Sequence, residues 1–416
     1  MTPVGLPSGT RIVERCDALA RLSEAPGALT RVYLSKEQRA VDDLVLAWMQ
    51  EAGMSAHLDA IGNVVGRYEG ATPAAPCLML GSHLDTVRDA GRFDGMLGVV
   101  SAIECVHMLN AGGLRLPHAI EVLGFADEEG VRFGATLLGS RAVAGTFDSK
   151  VLDLADANGI VLRDALERFG LDPDRIGAAA RPAKDVLAYA ELHIEQGPVL
   201  EAAGLPVGVV TAIIGANRLT VDLAGMAGHA GTVPMNLRRD ALAAAAECVL
   251  ALEARCTREP DLVGTVGRLD VAPGAINVIP GHVRFTIDIR APGDEARDGA
   301  TADVVTAIMS ICATRNVKVD IRPMHVGKTT RCAPWLQQQI ADAVAAEALT
   351  VHRLPSGAGH DGMAMVDLAD VGMLFVRCKG GISHNPLESI TVEDAAVSAS
   401  VFLRFIENFK PRPMPK

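Results

Sequence analysis

The segment Gly81-Ser82-His83-Leu84-Asp85-Thr86 sets an imidazole and a carboxylate two positions apart, directly after the apolar run Cys77–Leu80. A run of that kind reads as a short buried strand. Residues two apart in an extended chain face the same side, so His83 and Asp85 converge just past a strand end. The glycine-flanked carboxylate Asp94 follows and opens an apolar stretch. Three further strand-like runs finish in the same residue types. Ile120–Ala126 runs into Asp127-Glu128-Glu129, Leu187–Gly197 carries His193, and Val371–Val376 leads to His384. Histidines with nearby carboxylates at strand ends are how hydrolytic divalent-metal sites are commonly built. Each alone is more often an ordinary hydrogen-bonded residue or a surface charge; their joint occurrence at strand ends points to metal. A donor set without thiolate suits zinc, manganese, cobalt or nickel. His83, Asp94, one of the pair Glu128-Glu129, His193 and His384 exceed what one open zinc site needs. Two ions sharing a carboxylate is the economical arrangement, and such pairs activate water. The other acid of the pair is then available as a general base.

The elements that must position these residues follow from periodicity. Ser35-Lys36-Glu37-Gln38 has the capping-box pattern and opens an amphipathic helix through Val41, Leu44, Val45 and Trp48 to Gly53. Residues 10–32 are helix-like but ambiguous. Residues 57–67 read as a strand pair turning at Gly62-Asn63. Gly95–Asn110 is apolar nearly all round and reads as a buried helix. A short helix is expected over Ala135–Ala144, and residues 148–186 read as polar and helical. Strands alternating with helices predict an α/β sheet with ligands at strand ends.

From Gly215 the pattern changes. Strands are expected at Arg218–Leu223, Val263–Val271, Val283–Ile289 and Val317–Met324, with helices at Arg238–Cys256 and Glu295–Arg315. That order, βαββαβ, is the split ferredoxin-like unit. After Arg331 the first pattern resumes. A helix starts at Pro334, the glycine-rich loop Ser356–Gly362 and the strand Val371–Val376 follow, and a last helix spans Val392–Phe409. The expected division is therefore a catalytic di-metal domain, 1–214 with 331–416, and an inserted domain, 215–330.

Composition narrows the class. A chain of 416 residues is too long for one ordinary core. The net charge of −11 argues against a nucleic-acid partner. No apolar run is long enough to span a bilayer, and Met1–Thr10 lacks the basic and apolar regions of a signal peptide. The eight cysteines are scattered without a C-x-x-C and read as free buried thiols. A cytoplasmic enzyme fits these features.

The motifs Gly81-Ser-His-Leu-Asp85, Phe93-Asp-Gly95, Ala126-Asp-Glu-Glu-Gly130, Glu191-Leu-His-Ile-Glu-Gln-Gly197, Gly228-His-Ala-Gly-Thr-Val-Pro-Met235, Ser356-Gly-Ala-Gly-His-Asp361 and Ser383-His-Asn-Pro386 run in a familiar order. With them the chain resembles the amidase, hydantoinase and carbamoylase branch of the M20 metallopeptidase-like hydrolases. The resemblance spans nearly the whole chain. It implies a catalytic α/β domain with an inserted lid or dimerisation domain, two divalent metal ions, a small-molecule ureido substrate and a homodimer. By the same resemblance Asp94 bridges the metals, His83 and His193 ligate one, and Glu129 and His384 ligate the other. Glu128 is the implied general base and Asp85 the acid that orients His83. His229 is the implied oxyanion group. Gln196, Asn277, Arg290 and the Gly359 backbone are the implied substrate contacts. The implied reaction is hydrolysis of an N-carbamoyl-L-amino acid or of allantoate, with release of ammonia and carbon dioxide. An aminoacylase or peptidase of the same superfamily, or a non-catalytic metal-binding dimer, are the alternatives. Two departures from the family pattern, at Asn217-Arg218-Leu219 and at Gly362, can alter substrate choice; neither touches an implied ligand.

Overall fold

The computed structural model describes residues 5–412. Met1–Val4, part of the N-terminal stretch read above, and residues 413–416 lie outside it. The chain divides into two units. One runs to Thr211 and resumes at Arg331; the other is Ala212–Thr330.

The first unit is built on a mixed sheet whose leading strands are β1 (Ser55–Leu58), β2 (Val64–Tyr68), β3 (Cys77–His83), β4 (Ala119–Phe125) and β5 (Val186–Ile194). Their order is β1-β2-β4-β3-β5, continued by Val371–Val376 and Val207–Ile213. β3 lies parallel to β4 and to β5, and β5 is parallel to Val371–Val376. Antiparallel strands flank this centre: β2 beside β4, and Val207–Ile213 beside Val371–Val376. Every residue of β3, β4 and Val371–Val376 is buried, as expected of parallel strands covered on both faces. The apolar side chains that the sequence shows in unbroken runs are thus all used.

Three early helices pack near the sheet: α1 (Gly9–Ala20), α2 (Lys36–Glu51) and α3 (Met96–Ala111). α3 is buried almost throughout. Its Gly98 lets it approach β5, because a Cβ there would lie 2.2 Å from the Leu192 carbonyl oxygen. Ile12, Val45, Leu80, Val100, Ile103, Leu374 and Phe402 share one core. Of residues 10–32, only the first part is helical, as α1. Half of the predicted capping box forms at α2. Ser35 Oγ accepts from Gln38 N at 3.0 Å, but Ser35 N donates to the Val32 carbonyl at 3.2 Å rather than to the Gln38 side chain, whose Nε2 donates to Asp42 Oδ1 at 2.7 Å. Residues 148–186 hold a short α-helix, Leu162–Arg168, between stretches of 3-10 helix rather than one long helix.

In the second unit an antiparallel sheet runs in the order Leu269–Ala272, His282–Ala291, Gly215–Ala224, Lys318–Val326. Strand His282–Ala291 alternates strictly. Val283, Phe285, Ile287, Ile289 and Ala291 are buried in a core with Cys248, Leu252, Val304 and Ile308 of helices Ala241–Cys256 and Asp294–Thr314. The expected strand Val263–Val271 is two pieces, Val263–Thr265 and Leu269–Ala272, on the same partner. Thr265 faces Asp288 and Leu269 faces Phe285, so this edge carries one residue more than its neighbour, a bulge around Gly267.

All eight cysteines are free and buried. Among the described residues, no helix is long and apolar enough to cross a membrane.

Candidate metal centre

Four adjacent parallel strands end on one side of the first unit's sheet, and each delivers donors there. β3 ends in His83, β4 leads into Glu128-Glu129, β5 carries His193, and Val371–Val376 is followed by His384. The outer ends of parallel strands in α/β sheets are where ligands bind. Asp94 reaches the same place from the loop between β3 and α3. The donor atoms of His83, Asp94 and His193 lie within 4.8 Å of one another, and so do those of Asp94, Glu129 and His384. Asp94 belongs to both sets through different oxygens. Its Oδ1 lies 3.6 Å from His83 Nε2 and 3.2 Å from His193 Nε2, whereas its Oδ2 lies 3.2 Å from His384 Nε2. His384 Nε2 is in turn 3.5 Å from Glu129 Oε1.

The imidazoles are aimed from behind. His83 Nδ1 lies 3.0 Å from the Asp85 carbonyl, and His193 Nδ1 lies 2.9 Å from the Ile194 carbonyl. A carbonyl only accepts, so each Nδ1 carries the proton and each Nε2 presents a lone pair, the arrangement of metal-ligating histidine. Asp85 therefore orients His83 through its main chain; its carboxylate is 3.7 Å from Nδ1. That carboxylate accepts instead from Glu128 N at 3.0 Å and Glu129 N at 3.2 Å. The Gly95 φ of +71° brings α3 so close to His83 that a Cβ would sit 2.5 Å from Nδ1.

Electrostatics agree with a cation site. Burial opposes ionisation of Asp94, but the imidazoles of His193, His384 and His83, in their protonated forms, outweigh it and hold the carboxyl well below its usual range. Burial pushes Glu128 well above the usual range; His83 opposes the shift, and Glu129, Asp361 and Asp85 reinforce it. Glu129 is pushed up to about 7, again mainly by burial. An acid-rich cluster with the Nε2 atoms of His83 and His193 turned inward, His384 at its open edge and one shared carboxylate suits divalent metal.

A profile of Peptidase family M20/M25/M40 matches residues 79–408. The chain belongs to this family. An N-carbamoyl-L-amino acid amidohydrolase of Geobacillus stearothermophilus is 44% identical to this M20 member over 394 residues, 94% of this chain and 96% of that protein. Allantoate deiminase 1 of Glycine max is 41% identical over 428 residues, 95% of this chain and 88% of that protein. An amidase of the hydantoinase/carbamoylase family from Burkholderia multivorans has a similar structure, with TM-score 0.92 at 33% identity over 99% of this chain and 100% of that chain.

The remaining sequence-selected residues of this M20 chain fall in two places. In the first unit, Gln196 Nε2 lies 3.0 Å from Asp94 Oδ2 and 3.1 Å from Ser383 Oγ. Gly359 borders Glu128, whose Oε1 would be 3.8 Å from a Cβ at that glycine. In the second unit, strand pairing sets Val278 opposite His229, which brings Asn277 beside the histidine; Ala230 N donates to the Asn277 carbonyl at 2.9 Å. Arg290 forms a two-bond pair with Asp288, both at 2.9 Å. Of the two departures, Asn217 Nδ2 donates to Asp298 at 2.9 Å and to Thr301 at 3.0 Å, and Gly362 N donates to Glu191 Oε2 at 3.2 Å.

Several residues at the centre, some of them inside the motifs quoted above, were given no role from sequence. Glu388 Oε1 accepts from Phe93 N at 2.8 Å and Asp94 N at 3.1 Å, and Ser383 Oγ lies 3.2 Å from Asp94 Oδ2. Buried Glu191 accepts from Ser82 Oγ at 3.2 Å and Tyr189 OH at 3.0 Å. The His360 ring stands edge-on to His193 at 4.4 Å. Glu191 had a signal: it precedes His193 by two in one strand and so faces the same side. Glu388 had none: its Oε1 binds main-chain amides almost three hundred residues away, and its Oε2 accepts from the Ser383 hydroxyl at 3.0 Å.

Proposed function

We propose that the chain is a metal-dependent amidohydrolase that cleaves the ureido C–N bond of an N-carbamoyl-L-amino acid or of allantoate. The single observation that carries the reading is Asp94, whose two oxygens face separate donor sets while half-buried Glu128 stands beside them. The names of the similar proteins agree with it. His83, His193 and Asp94 would hold one ion, and Asp94, Glu129 and His384 the other. When bound, two divalent ions (zinc, or manganese, cobalt or nickel) acidify water and polarise the substrate carbonyl.

The chain's own groups do the rest. Glu128, raised by burial, takes a proton from the attacking water and returns it to the leaving nitrogen. Asp85 holds the backbone of Glu128 and Glu129 in place while its carbonyl fixes the His83 ring. Gln196, Asn277, Arg290 and the Gly359 backbone hold the substrate; the guanidinium of Arg290, which forks onto Asp288, would exchange that carboxylate for the substrate's. His229 donates to the oxygen on which negative charge develops. The inserted unit acts as lid and dimerisation domain, and a second copy in a homodimer supplies His229. Ammonia and carbon dioxide leave with the amine product. The eight free thiols agree with a reducing compartment such as the cytoplasm.

The test is E128Q assayed beside the parent on N-carbamoyl, N-acyl and dipeptide substrates. Turnover of the N-carbamoyl substrate should fall about 10²–10⁴-fold in E128Q, with metal content unchanged. Retained turnover refutes the role of Glu128, and a parent that prefers N-acyl or dipeptide substrates refutes the substrate class.

A further inference from the structure

Arg31 is completely buried. Its guanidinium binds main-chain oxygens rather than a carboxylate. Nε and Nη2 both point at the Leu84 carbonyl, at 3.0 and 2.7 Å, and Nη1 reaches the carbonyls of Leu19 at 2.9 Å and Leu22 at 3.1 Å. Nη2 also lies 2.8 Å from Met96 Sδ. Leu19 is in the last turn of α1, so the charge sits at the negative end of a helix. The backbone of Arg31 grips the same loop. Its N–H donates to Thr86 Oγ1 at 2.9 Å, and Thr86 N donates to the Arg31 carbonyl at 3.0 Å.

Desolvating a guanidinium is costly, and methionine or leucine would fill much of that volume without the cost. What the arginine adds is a clamp on residues 84–86, and those residues hold the metal centre. Leu84 lies between His83 and Asp85. The Asp85 carbonyl fixes the His83 ring, and the Asp85 carboxylate fixes the amides of Glu128 and Glu129. Arg31 also lies outside the segment, residues 79–408, that the family profile matches.

We propose that Arg31 is a positioning residue for the metal centre: by clamping the Leu84 carbonyl it sets, through His83 and Asp85, the spacing of both ion-holding donor sets. This rests on the metal-centre reading above.

Two full-length variants test it. R31K keeps a positive charge but loses the fork; T86V keeps the guanidinium and removes one acceptor. Metal-free proteins are titrated with Zn²⁺ and, separately, Mn²⁺ against a chelating indicator, well below their unfolding midpoints, with circular dichroism to verify the fold. R31K should bind both metals about 10–100-fold more weakly, the range for residues that orient ligands, and T86V should shift in the same direction by about threefold or more. With an N-carbamoyl-L-amino acid as substrate, kcat should fall in both variants while KM stays within about twofold. A purely structural role would lower the unfolding midpoint and leave the metal affinity of the folded protein at the parental value; that result overturns the proposal. Should R31K not fold, T86V decides: weakened affinity supports the clamp, parental affinity overturns it. A parent that binds neither metal overturns the clamp together with the metal-centre reading. A parent that binds metal and turns over, with both variants matching it, overturns the clamp alone.

Discussion

Replacing Gly95 by alanine should damage the centre without touching a ligand. Gly95 has φ +71° and ψ −55°, a conformation that costs a residue with a Cβ about 1–3 kcal/mol. The new Cβ would lie 2.5 Å from His83 Nδ1 and 2.6 Å from Cε1 and Cγ. Packed atoms sit about 3.5–4.0 Å apart, so the ring or the helix start must retreat by roughly 1 Å. Overpacking of that kind costs about 1–3 kcal/mol more, which gives about 2–6 kcal/mol in all. A metal site tolerates about 0.2 Å in its ligand distances, so affinity at the His83 side should drop by a larger factor than stability alone conveys. Gly113 is the control, because its φ is +64° but no atom lies within 4 Å of an added Cβ. G113A should show only the backbone share. Urea unfolding of the metal-free proteins and metal titration of the folded ones measure the two effects. In an H83A background the ring is gone, and G95A should then cost only the backbone share. The reasoning is refuted if G95A and G113A are equally destabilised with parental metal affinity, or if H83A leaves the cost of G95A unchanged.

D94N should lose both ions, whereas E129Q should keep close to one equivalent, as read by elemental analysis after gel filtration; equal losses would contradict the division of Asp94 between two sets. R290K should raise KM for a carboxylate-bearing substrate about tenfold or more with kcat little changed, since an ammonium cannot reproduce the fork; an unchanged KM removes Arg290 from substrate binding. Asp42 gives a pH test of the fold. Burial, opposed by the Gln38 hydrogen bond and by Arg39 and Arg31, pushes its carboxyl up to about 7. Because the folded state holds this proton more tightly than the unfolded chain, Asp42 erodes stability as pH rises from about 4 to about 7, by a few kcal/mol at most. D42N should flatten that slope in urea unfolding; a slope equal to the parent's would contradict the assignment.

Much of the centre could be read from the residues because His83, His193 and the Glu128-Glu129 pair stand at the ends of apolar runs. His83, His193 and the Glu128-Glu129 pair follow or finish stretches too uniformly apolar to be anything but buried strands. The second unit left a related trace in the sequence, since His282–Ala291 alternates strictly between buried residues and half-buried or exposed ones. What escaped was set by contacts to the main chain. Arg31 stands in the short mixed run Leu29–Leu34, and the carbonyls it clamps leave no mark on residue type. Gln38 had the residue type for a capping box, yet the Ser35 N–H went to the Val32 carbonyl. The bulge near Gly267 depends on register against another strand. Asp85 was selected for its carboxylate, whereas its carbonyl is what touches His83.

The donors around Asp94 come from chain segments that are far apart, the first at His83 and the last at His384, with the whole second unit translated in between. No fragment shorter than this span carries the complete set. A nascent chain still lacking the strand Val371–Val376 and the loop behind it would offer the His83–His193 side but not the His384 side. On the two-ion reading proposed above, the second cation would be held only after residues as far as His384 have been made and folded against the earlier strands.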